Sequence, residues 1–252
     1  MTFAGETTFL RRTAQAGAVA LLAAATGYLP GSVAAQSGAA PPNLSGTWAR
    51  SGPTTAPDPD KLPLNARGIA LREVIDESLA PMYDCVAATV PHILGDPYNF
   101  QLEQLPDRFI QRFEKDGVTR TIWMAGHGHR DAVNNDYGVQ GFSTGRWEGQ
   151  TLVVETSKFT FDPGGLEDKP PMVPSSTSKK VVERYTRTGD TLKVDATLED
   201  RLIMKEPVKF GFQFKPTKEP MAEWPECDPE QSRAPLKYMP VNQLKYGEGA
   251  GR

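Results

Sequence analysis

Three times between Arg108 and Asp200, two half-apolar runs meet across a two-residue turn that contains glycine. That pattern leaves the chain little choice but antiparallel β-hairpins. Arg108–Lys115 and Val118–Ala125 flank Asp116-Gly117, whose positions both have to adopt positive φ in a tight hairpin, which Gly, Asn and Asp tolerate best. Gly141–Thr156, reading GFSTGRWEGQTLVVET, folds back at Glu148-Gly149, and Ser178–Thr188 and Thr191–Asp200 flank Gly189-Asp190. In the last run Leu192, Val194, Ala196 and Leu198 alternate with Lys193, Asp195, Thr197 and Glu199, so one face of the strand is buried and the other is wet. Leu44–Arg50, Asn99–Leu105 and Val208–Lys215 add three more strands, for about nine. The expected fold is all-β: an up-and-down antiparallel barrel or a strongly curved sheet. One helix is expected, over Asn65–Leu79. Ile69, Arg72, Ile75 and Leu79 show helical spacing there, and Asn65 can cap it.

The first 35 residues read as an export leader. Arg11 and Arg12 precede an apolar stretch from Ala14 to Leu29, and Val33-Ala34-Ala35 gives a small-residue cleavage pattern before Gln36. Paired arginines also fit a twin-arginine leader, although Thr13, Ala14 and Gln15 lack the apolar pair that usually follows. The expected organisation is a signal peptide over 1–35, a linker over 36–43, a barrel-like domain over 44–228 and a tail over 229–252. No membrane anchor is expected, since the apolar stretch is short for a span. The formal net charge of −3 and the lack of a basic stripe argue against a nucleic-acid partner. In an oxidising compartment the two cysteines, Cys85 and Cys227, are expected to form a disulfide. Closing so long a loop is worth roughly 4 kcal/mol.

Several motifs together resemble a group of secreted proteobacterial β-proteins. They are Gly145-Arg146-Trp147-Glu148-Gly149 with Thr151–Thr156, then Val182-Glu183-Arg184-Tyr185, Leu198-Glu199-Asp200 and the late Glu226-Cys227. The resemblance implies a fold and a compartment rather than a reaction. Where such sequences read Asp-Gly-Arg-x-His-Pro, this chain has Ala125-Gly126-His127-Gly128-His129-Arg130, which keeps the histidine at His129 and replaces the carboxylate and arginine. Gly46-Thr47-Trp48 on the first strand is also similar to lipocalin-like proteins. That resemblance implies a tryptophan packed across the barrel floor beneath an arginine, here Arg146 or Arg184, in a cation–π contact of roughly 0.5–2 kcal/mol.

Candidate chemistry centres on His129, whose imidazole titrates near working pH and can act as acid or base with Asp131 or Glu148 orienting it. Tyr137 is a candidate phenol donor, which completes the expected catalytic set of His129, Asp131, Tyr137 and Glu148. The i, i+2 spacing of His127 and His129 also suits a metal held with Asp131, Glu148 or His92, against the plainer reading of a hydrogen-bonded loop. Arg146, Glu148, Glu183 and Arg184 either pair into a buried ionic lattice or leave a carboxylate with a raised pKa facing a cavity. Trp48, Trp123, Arg146, Trp147, Glu183 and Tyr185 are the expected substrate contacts. Ser143 has no strand-turn-helix elbow around it and is not expected to be a nucleophile. No phosphate loop, dinucleotide fingerprint or zinc-knuckle spacing occurs, so neither a cofactor nor a resident metal is expected. The expected function is an exported small-molecule-binding barrel. Its polar mouth would perform cofactor-independent acid–base chemistry, of the lyase, isomerase or hydratase type, on a lipophilic or aromatic molecule. The alternative is a carrier that binds such a molecule unchanged.

Overall fold

The computed structural model describes residues 40–126, 137–167, 172–223 and 226–238. Its strands are β1 (Gly46–Arg50), β2 (Phe100–Gln104), β3 (Arg108–Phe113), β4 (Thr119–Met124), β5 (Phe142–Glu148), β6 (Thr151–Ser157), β7 (Asp162–Glu167), β8 (Val173–Ser175), β9 (Lys179–Thr188), β10 (Thr191–Asp200) and β11 (Val208–Thr217). Nine of them close a barrel in the order β1-β11-β10-β9-β6-β5-β4-β3-β2. These nine are the runs expected from the sequence.

The expected up-and-down pattern holds for every neighbour but one, since β4 and β5 run parallel, with Ile122 opposite Ser143. Parity requires such an exception. Each antiparallel neighbour reverses the strand direction, so a closed ring of nine strands needs an odd number of parallel pairs. A parallel pair cannot be joined by a tight turn, and in the sequence β4 and β5 are indeed well separated, ending at Met124 and beginning at Phe142.

Turn chemistry sets the registers. Asp116 and Gly117 have the expected positive φ, 58° and 60°, but Arg112 pairs with Thr119 and the Phe113 amide donates to the Val118 carbonyl, so the connection is a four-residue loop over 114–117 rather than the expected two-residue turn. The second hairpin pairs Glu148 with Thr151, which shifts the expected turn by one residue to Gly149-Gln150, with Gly149 at φ 60°. Thr188 faces Thr191 across Gly189-Asp190, and Leu192, Val194 and Ala196 oppose Phe214, Phe212 and Phe210. The alternation therefore resolves as expected, with Leu192, Val194, Ala196 and Leu198 all buried. Trp48, Phe100, Phe109, Phe113, Tyr185, Phe210, Phe212 and Phe214 join them in one continuous core.

The helix α1 (Ala66–Val74) is shorter than expected. Asn65 caps it by accepting a hydrogen bond from the Gly68 amide at 3.0 Å, but the chain turns extended at Ile75 and resumes only as a short 3-10 turn over Glu77–Leu79. Ile69 and Leu79, expected on the buried face, are exposed, while Ile75 is buried. What docks the helix is Gly68: a Cβ there would lie 2.4 Å from the Ile203 carbonyl oxygen. The small β7–β8 sheet was not expected, because Pro163, two glycines and Pro174 argue against strand. The expected disulfide is present: Cys85 and Cys227 are bonded with Cα atoms 5.7 Å apart. It ties the loop before β2 to the segment carrying α2 (Pro229–Arg233).

Candidate functional site

Alternation along the strands sorts the charged residues into two separate systems. Outside the barrel, Arg146 donates to Glu148 Oε1 from Nε and Nη2 at 3.0 and 2.8 Å and also pairs with Glu155. Arg184 Nη2 lies 2.9 Å from Glu148 Oε2. Hydrogen bonds from Arg184 and then Arg146 hold the Glu148 carboxyl below the usual carboxylate range. The alternative of a raised pKa at Glu148 is thus excluded, and the ionic-lattice reading holds for Arg146, Glu148 and Arg184, on the outer face rather than buried. Two arginines favour the ionised form, and water screens a carboxylate that stands on the outer face.

Inside, Arg120 of β4 crosses the interior to β9. Its Nη1 and Nη2 donate to Glu183 Oε2 and Oε1 at 2.9 and 2.8 Å, and Nη2 also donates to the Tyr185 hydroxyl at 3.0 Å. Tyr185 donates to Glu183 Oε1 at 2.7 Å, and Arg120 Nε donates to Gln111 Oε1 at 2.8 Å. All four side chains are buried. Burial works against the Arg120 charge, but Glu183 outweighs it and raises the pKa. Burial, reinforced by Glu183, pushes the Tyr185 phenol well above its ordinary range. Glu183 is therefore buried as expected, but its partner is Arg120 rather than a member of the outer lattice. Arg120 and Gln111 were missed, although the signal was there: each shares its strand's inward parity with Ile122 or with Phe109 and Phe113.

A cleft of about 500 Å³ opens at the barrel end where the β3–β4 turn and the start of β9 lie. Ala80, Pro81, Met82, Val86 and Ala88 give it an apolar wall, the Cys85–Cys227 disulfide and Ser232 another side, and Thr89, His92, Asp116 and Asp162 its polar positions. Lys179, the first residue of β9, lies directly behind this floor. Its Nζ donates to Thr89 Oγ1 at 2.7 Å and to the Gly165 carbonyl at 2.8 Å, and sits 4.8 Å from the Phe159 ring centroid. No carboxylate of the described residues lies within ion-pair distance of it. Burial pushes its pKa down to about 8, against the opposing influence of Asp162 and Asp200. Asp200 is itself engaged, accepting from the hydroxyls of Ser176 and Ser178, each at 2.7 Å, and from the Ser176 amide at 2.6 Å.

The expected catalytic set is not brought together by the described residues. His129 and Asp131, with His127, lie outside them. Tyr137 is exposed just before β5 and Glu148 stands at the far end of that strand, six steps or about 20 Å along it. The expected contacts also divide. Trp48, Glu183 and Tyr185 are interior. Trp147 packs edge-on to Phe109 at 6.1 Å, and Arg146 faces outward. Trp123 lies under the Arg108 guanidinium at 5.1 Å. The cation over Trp48 is Arg187, 5.3 Å from the ring, and not Arg146 or Arg184. Those two arginines have the outward parity of their strands, whereas Arg187 lies beside the β9–β10 turn and donates to the Asn43 carbonyl next to β1.

The fold and its sites define a closed β-barrel with an ion pair bridged across its interior and a separate cleft at one end. No protein-family model and no curated protein sequence matches the chain. Among solved structures, the chain is similar to a mutant of the fluorescent protein UnaG, at 12% identity and a TM-score of 0.33 over 70% of this chain and 97% of that one. It is also similar to a secretary abundant heat soluble protein from Ramazzottius varieornatus, at 8% identity and a TM-score of 0.28 over 69% and 95%. Likenesses this distant carry no functional assignment.

Proposed function

We propose that the protein is an exported binding barrel that takes a lipophilic or aromatic small molecule in the cleft beside the Cys85–Cys227 disulfide. The observation that carries this reading is the cleft itself. A concavity of about 500 Å³ with an apolar wall and a few convergent polar groups is the general form of a small-molecule site. Binding is preferred to acid–base catalysis because Glu148 is held ionised by two arginines and stands at the opposite barrel end from the cleft. Export is supported by the leader-like N-terminus and by the disulfide, which suits an oxidising compartment. Among the described residues no helix is long and apolar enough to cross a membrane.

The test is titration with N-phenyl-1-naphthylamine, a neutral lipophilic fluorophore, against the wild type and Val86→Trp, which fills the cleft from its apolar wall. Saturable binding to the wild type, weakened tenfold or more in the variant at unchanged folding, is the expected result. Binding that ignores Val86→Trp would place the ligand elsewhere, and no saturable binding would remove the reading.

A further inference from the structure

Lys179 is a buried ammonium whose nearest acceptors, Thr89 Oγ1 and the Gly165 carbonyl, are both neutral. An ammonium has three protons to donate, and these two acceptors engage two of them. Burying a cation without a contacting carboxylate is costly, and ordinary structural needs do not call for it. The position is informative. Thr89, Gly164 and Asp162 all line the cleft, so the amine lies one side chain behind its floor. The Thr89 hydroxyl, 2.7 Å from the nitrogen, is the contact that joins the amine to a cleft-lining residue.

Building on the cleft as the ligand site, we infer that Lys179 is a covalent carbonyl-capturing residue: an apolar aldehyde or ketone seated in the cleft condenses with its Nζ to form a Schiff base. The chemistry closes without any co-reactant. The ammonium releases a proton, the free amine adds to the carbonyl carbon, and the carbonyl oxygen takes up protons and leaves as water. The net change is one ammonium and one carbonyl giving one protonated imine and one water. A carbonyl compound fits the site better than an anion does. Among the described residues, Asp116, Asp162 and Glu226 line the cleft with one lysine, Lys115, which is paired with Asp96 and Asp116 at 3.4 and 3.6 Å. That field opposes a carboxylate ligand. It accepts a protonated imine, which keeps the positive charge that Lys179 already carries beside Asp162, Asp200 and the Phe159 ring. Burial also lowers the Lys179 pKa to about 8, which leaves a usable fraction of free amine near neutral pH, the condition a nucleophilic lysine needs.

Lys180 is the internal control, since it is the next residue and faces solvent on the outer side of β9. The experiment incubates the full exported protein with cinnamaldehyde and sodium cyanoborohydride at pH 8, then maps the reduced adduct by peptide mass spectrometry. The expected result is a single addition at Lys179 at least tenfold ahead of Lys180, absent from Lys179→Met and faster in Thr89→Ala. Labelling spread over Lys180 and other surface lysines with Lys179 unmodified overturns the inference. The wild-type map decides this even where Lys179→Met fails to fold. Displacement of N-phenyl-1-naphthylamine by cinnamaldehyde, measured without reductant, separates the two readings. Displacement with no adduct at Lys179 overturns covalent capture and leaves the cleft reading standing. Neither displacement nor adduct overturns both.

Discussion

Replacing Lys179 by methionine should change how stability depends on pH more tellingly than it changes stability at any one pH. The lysine has a pKa of about 8 when folded, against 10.5 for the free side chain. Below pH 8 both states are protonated, and the folded protein carries the whole cost of burying the charge. That difference in pKa corresponds to about 3 kcal/mol. Between pH 8 and 10.5 the unfolded chain binds more protons than the folded one, so the stability of the wild type rises with pH across that window. Lys179→Met has no such proton to lose. It also loses charge-assisted hydrogen bonds to Thr89 and Gly165, worth about 1.5–3 kcal/mol each, so its stability at neutral pH is a poor readout by itself. Urea unfolding followed by tryptophan fluorescence at half-unit steps from pH 7 to 10.5 isolates the effect. Wild type minus variant should be flat below pH 8 and then climb by about 3 kcal/mol. Because the same difference removes the alkaline titration of other groups, a flat or falling curve would refute the assignment of Lys179 as a buried, charge-strained amine.

Three further outcomes follow from the packing. Glu183→Gln should destabilise the fold by about 3–5 kcal/mol in urea unfolding because it strands the buried Arg120 charge, while pairing Glu183→Leu with Arg120→Met should cost clearly less. Gly68→Ala should cost about 1–3 kcal/mol, seen as a lower Tm, because the added methyl meets the Ile203 carbonyl and neither backbone can yield freely. Cys85→Ala with Cys227→Ala should lower stability by about 2–5 kcal/mol, checked by urea unfolding against the oxidised wild type.

The amino-acid sequence alone determined the nine barrel strands, one of the three tight turns to the residue and the identity of the disulfide partners. Each rests on local physics: side chains alternate with period two, glycine or aspartate accepts positive φ, and two cysteines allow only one bond. Local parity also marks Gln111, Arg120, Glu183 and Lys179 as polar residues on the inward face, although of these only Glu183 was picked out from the sequence. Which of them meet was not legible. Arg120 and Glu183 stand 63 positions apart and join only because ring closure sets β4 and β9 across the same interior. Closure also forces an odd number of parallel pairs, met here by β4–β5, a property of the ring that no single hairpin contains. The cleft is likewise a tertiary product. Its wall comes from the loop before β2, the β3–β4 turn, β7 and the C-terminal segment, and each looks like an unremarkable turn or coil in sequence. Period-two patterning says which way a side chain points. Only the order and closure of the strands decides what it finds there.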